Sequence, residues 1–167
     1  ASDQPLSQQA VVKNTRESAA YTFCYNETVF ASRVHDVLTL VTWIRNDEHK
    51  PKRVNVIGVD GAAAIAAAAR TIAGSAIDKL AVDTAGFRFA DLTSYRDPSF
   101  VPGAVKYGDL PSLLALSAPH ALWFGGEQGK VPEITISAYK AAEQRNQVTS
   151  STQQNAADAA VGWLLAN

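Results

Sequence analysis

The chain has 167 residues, a formal net charge of −1, 47% apolar and 19% charged residues, which is enough for one domain with its own core. No basic stripe marks a nucleic-acid surface, and the longest apolar run, 61–69, is too short and too rich in alanine to span a bilayer. One cysteine, Cys24, excludes an intrachain disulfide and leaves the compartment open. The lack of any methionine points to a processed chain or a piece of a longer one.

Residues 1–20 are polar with few large apolar groups and read as an extended N-terminal arm; the domain is expected over 21–167. Residues 21–25 are aromatic and β-prone. From 27 to 46 apolar residues at 30, 34, 37, 38, 41 and 44 keep a helical period, with Asn26 as the expected cap and Pro51 closing the polar loop that follows. Val54 to Ile57 is the first strand. A turn at Gly58–Gly61 leads into an alanine-rich helix over 61–73, stopped by Gly74. Leu80 to Asp83 is the second strand, and residues 87–111 form a long irregular loop of the kind that shapes sites. A short helix is expected over 110–116 with Pro111 at its start, a third strand over 120–124, and a helix over 134–145. A weak fourth strand follows over 147–151, and a last helix over 156–165 with Val161, Leu164 and Leu165 facing inward. This alternation predicts an α/β fold in three layers: a parallel sheet of about four strands with helices on both faces.

The stretch Gly58-Val59-Asp60-Gly61-Ala62 has the spacing of a nucleophile elbow, with aspartate where serine or cysteine is usual. Two roles are open to Asp60. It can be a nucleophile that forms a covalent intermediate. It can also be a turn residue, since aspartate tolerates a left-handed backbone and caps helices. A phosphate cradle does not fit: a third glycine is missing and Asp60 would repel the anion. His35 lies beside the apolar stripe and reads as a packed structural residue; His49 falls in a polar loop; His120 begins a strand at its amino end. These histidines lack the spacing of metal ligands, so neither metal nor cofactor is expected. Cys24, far from the elbow, reads as a buried structural thiol.

Six pieces in order, YTFCYN (21–26), FASRVHDVLT (30–39), the elbow, FRFADLTSY (87–95), PGAVKYGDLP (102–111), and LSAPH (116–120) before a strand ending in Gly125-Gly126-Glu127, resemble bacterial α/β-hydrolases of the acetyl xylan esterase and dienelactone hydrolase type. The resemblance runs from about residue 5 to the end. It implies an eight-stranded sheet of which this chain holds strands five to eight and the helix before them. The earlier strands, and the loop that supplies one oxyanion amide, fall outside it.

The resemblance also implies site residues. Asp60 takes the nucleophile position. Glu127, after the seventh strand, takes the acid position, with Asp83 at the end of the sixth as the alternative; either can equally be a solvated loop acid, the reading favoured for Glu127 taken alone. The base should follow the last strand, but 150–158 contain no histidine, and Gln153, Gln154 and Asn155 cannot take up a proton. Two functional classes follow: a hydrolase of small carboxylic esters, or a non-catalytic domain kept for packing or ligand binding. An unpaired edge at Val54 to Ile57 would favour self-association or pairing with the missing half.

Overall fold

The computed structural model describes residues 8–11, 13, 19–152 and 157–166. Much of the expected arm, and the 153–156 stretch where the base was sought, lie outside them. Helix α1 covers Ala19–Phe23 and α2 covers Val29–Arg45; β1 is Asn55–Gly58, followed by α3 (Ala63–Ala73) and β2 (Lys79–Asp83). Then come α4 (Asp109–Ala115), β3 (Ala121–Gly125), α5 (Glu133–Ala141), β4 (Val148–Ser150) and α6 (Ala157–Leu165). The four strands form one all-parallel sheet in the order β1-β2-β3-β4, the α/β class expected from the alternation.

The pleat explains the two layers of helix. Leu80 and Val82 of β2, with Leu122 and Phe124 of β3, point to one face and are fully buried under Phe30 and Val34 of α2, the alanines of α3, Leu110 and Leu114 of α4 and Tyr139 of α5. The intervening residues, Ala81 and Trp123, point the other way and meet α6 through Ala160, Trp163 and Leu164. Alanine dominates α3 because that helix lies tightly against strand and neighbouring helices at once; Ala67 and Ala69 have no exposed surface. Among the described residues the second face is covered by α6, anchored where Asn55 Nδ2 donates to Leu164 O (3.3 Å) and Lys79 Nζ to Ala166 O (2.5 Å). Ile57, on that same face of β1, stays exposed.

Several local expectations give way to tertiary packing. Residues 21–25 form no strand: 21–23 belong to one turn of helix, whose Phe23 ring sits 5.3 Å from Phe100, and 24 and 25 to the turn that follows. Asn26 closes α1 by donating to Thr22 O (2.7 Å), and Thr28 caps α2 instead, its Oγ1 accepting from Ala31 N (3.0 Å). The buried side chain of Gln9, in the expected arm, accepts from Val29 N at 2.7 Å. His35 is exposed, since the inward stripe of α2 runs through 30, 34, 37, 38 and 41 and leaves position 35 outside. Cys24 is exposed too, in the turn between α1 and α2. α5 stops at Ala141 rather than 145: Glu143 adopts a left-handed conformation (φ 57°), and Gln144 N closes on Tyr139 O at 2.9 Å. In α6 the inward stripe is 159, 160, 163 and 164, so Val161 and Leu165 face outward.

Candidate functional site

Parallel strands place their carboxyl ends at one edge, and all three expected site residues fall there. β1 ends at Gly58, where the chain must turn back over its own strand. An ideal Cβ on Gly58 would lie 2.7 Å from Ala66 Cβ and 2.8 Å from Ala62 O, so only glycine allows α3 to approach this closely. Asp60 follows with φ +50° and Gly61 with φ +89°, and Ala62 N closes the turn on Val59 O at 3.0 Å. A non-glycine residue with positive φ is uncommon, and aspartate is among those that tolerate it. Asp60 is exposed. Ala62, not Asp60, stands at the N-cap of α3, and no side chain caps that helix.

β2 ends at Asp83, whose Oδ1 accepts from Ala85 N (3.0 Å) and holds an Asx turn through Ala85 (φ 47°) and Gly86 (φ 75°). The neighbouring strand end comes within van der Waals reach. A Cβ on Gly126 would fall 2.3 Å from Ala85 N and 2.7 Å from Asp83 Oδ1. Asp83 is therefore wedged between two loops and occupied with backbone.

Glu127 is clasped. Arg88 Nη1 donates to its Oε1 (2.8 Å) and Nη2 to its Oε2 (2.6 Å), a fork-on-fork pair, and the Thr84 hydroxyl donates to Oε1 at 2.7 Å. Arg88 Nη1 also donates to Phe87 O (2.7 Å). The Glu127 side chain keeps only 11% of its surface in water. Burial pushes its carboxyl upward, but the hydrogen bonds from Arg88 and Thr84 outweigh that and hold it below the usual glutamate range. Arg88 is correspondingly raised, chiefly by its hydrogen bond to Glu127. The sequence reading missed Arg88 and Thr84. The only sign was a cation set between two aromatics in 87–89, and its partner lies 39 residues away.

No hydrogen bond or ion pair joins Asp60 to Asp83 or Glu127 among the described residues, and no imidazole reaches this edge. His35 projects from the outside of α2. His49 is exposed, with Nδ1 2.7 Å from Asp47 Oδ1. His120 immediately precedes β3, at the opposite, amino edge, where burial and then the charge of Arg70 lower its pKa. Among the described residues no three His, Cys, Asp or Glu side chains group as metal ligands, and no helix is long and apolar enough to cross a membrane. The edge thus offers one exposed carboxylate on a strained turn beside a neutralised ion pair. Comparison with protein-family models, with curated proteins and with solved structures finds no match.

Proposed function

We propose that the chain is part of an α/β-hydrolase-like domain of the carboxylic-ester hydrolase type, with the elbow kept and the catalytic triad incomplete within the chain. One observation carries this reading. Asp60 is held at φ +50° and exposed at the carboxyl edge without capping α3, on a turn whose first glycine admits no side chain. Backbone strain at a residue with no packing duty is characteristic of functional sites. On a small activated ester, Asp60 Oδ would attack the acyl carbon and the alkoxide or phenolate would leave, giving a mixed anhydride. Water would open that anhydride to the free acid and regenerate Asp60, losing a proton to solvent because no base stands by. Slow turnover is therefore expected. With p-nitrophenyl acetate, release of p-nitrophenolate by the chain should fall to the buffer rate in Asp60→Asn. Equal rates in the two proteins would remove Asp60 as nucleophile.

The clasped state of Glu127 favours a second reading, a non-catalytic domain that pairs with another chain. A carboxylate already bound by Arg88 and Thr84 is not free to orient a histidine. Among the described residues β1 has a strand neighbour on one side, β2, and its other side ends the sheet, with Ile57 exposed beside it. On this reading sedimentation velocity shows concentration-dependent association, which Ile57→Lys abolishes. A monomer at high concentration would rule that pairing out.

A further inference from the structure

Away from the strand ends, α2, α3, α4 and the loop 101–104 enclose a cavity of about 300 Å³. Its inner wall holds the rings of Phe30 and Phe89, which meet edge to face at 5.6 Å, and Ala68 of α3. Tyr107 and Leu116, both well exposed, stand among the lining residues at the surface end. The one charged lining residue, Asp109, is turned to the backbone. Its Oδ1 accepts from Phe89 N (2.8 Å) and Leu110 N (2.6 Å), and its Oδ2 from Ala90 N (3.0 Å).

We propose that this cavity binds one uncharged apolar molecule, aromatic or aliphatic, of roughly ten to twenty non-hydrogen atoms, the size that a pocket at the lower end of the ligand-binding range admits. The inference does not depend on the esterase reading. Protein interiors are packed to the density of organic crystals, so a space this large against buried aromatic rings forfeits dispersion contacts that an apolar guest restores. An apolar cavity holds no water firmly and takes up such guests. Tyr107 and Ser112 are the hydroxyl-bearing residues of the lining. An anion is disfavoured because the Asp109 carboxylate, satisfied by three N–H groups, lies in the wall.

The test uses two dyes with one ring skeleton. N-phenyl-1-naphthylamine is neutral, and 1-anilinonaphthalene-8-sulfonate carries a sulfonate. The whole chain should bind the neutral dye saturably and one to one, and the anionic dye at least about tenfold more weakly. Ala104→Phe, which fills the cavity from its wall, should weaken the neutral dye by about tenfold or more, and so should Leu116→Trp, which plugs the surface end without entering the core. Trp43→Ala, which removes an exposed ring on the outside of α2, should leave binding unchanged. Circular dichroism and thermal unfolding identify folded variants, and Leu116→Trp keeps the test decisive if Ala104→Phe does not fold. Non-saturable binding, equal affinity for the two dyes, or loss of binding in Trp43→Ala with none in the filled variants would overturn the proposal.

Discussion

Gly58→Ala is expected to lower the unfolding free energy by about 3 kcal/mol, the upper part of the usual range for overpacking. The added methyl would meet Ala66 Cβ at 2.7 Å and Ala62 O at 2.8 Å, and neither neighbour can step aside. Ala66 is buried in α3, and Ala62 O already accepts from Ala66 N at 2.9 Å to start that helix. The strand end and the helix start would have to separate, opening the core along Leu80 and Val82. At about 2–4 °C per kcal/mol for a domain of this size, the midpoint should drop by roughly 10 °C. Gly61→Ala serves as the comparison. Nothing lies within 4 Å of its ideal Cβ, so the cost there is backbone strain alone at φ +89°, about 1–2 kcal/mol. Adding Ala66→Gly to Gly58→Ala should restore part of the loss by removing one of the two clashes. Urea unfolding monitored by circular dichroism gives all four values. A Gly58→Ala protein as stable as the parent would show that α3 and β1 part at little cost and would overturn this account of Gly58.

Arg88→Met should cost about 3 kcal/mol near neutral pH, because it leaves a mostly buried carboxylate with only the Thr84 hydroxyl as a side-chain partner. The pH dependence fixes the cause. Glu127 has a folded pKa below its ordinary value of 4.5, so its contribution to stability is present above that value. It is lost as pH falls through the lower folded value. Arg88 is raised above the ordinary guanidinium value by its hydrogen bond to Glu127, so its share would be lost only in strong alkali, outside any practical unfolding range. The stability gap between parent and variant should therefore be constant near neutral pH and close on acidification, from the raised pKa of Glu127 in the variant down to its lowered pKa in the parent. In Arg88→Met, burial is left acting against the charged form, so Glu127 should titrate above 4.5 and the variant should recover relative stability as that group takes up its proton. A gap independent of pH would show that the variant suffers from lost packing rather than from an unpaired charge. The double variant Arg88→Met, Glu127→Gln should recover much of the loss, since no buried charge remains.

How far the sequence could be read follows from which interactions are local. The strands 54–57, 80–83 and 120–124 were legible because they are short, mostly apolar runs bounded by polar or turn-forming residues, and each appears within a residue or so of its expected span. The order of elements was enough to give the parallel sheet. The turn at Asp60 was legible because its glycines sit next to it in sequence. The state of Glu127 was not, because Arg88 lies in a loop with no periodicity and the pair forms only when β2 and β3 align. The outward placement of His35 and Val161 shows the same limit at smaller scale. A helical stripe can be seen in sequence, but which of two adjacent stripes faces the sheet depends on the partner across the interface. Cys24 was misread because one turn of helix brings too little surface to bury it.

The consecutive strand order has a consequence for where a ligand crevice can open. In open parallel sheets such crevices form at a topological switch point, where successive crossovers change from one face to the other and the loops splay apart. Here α3, α4 and α5 all cross on the same face, so β1 to β4 contain no such point. A strand joining the sheet at the outer edge of β1, with its own crossover on the α6 face, would create the reversal at that seam. The loop that would then border the crevice is the one holding Asp60.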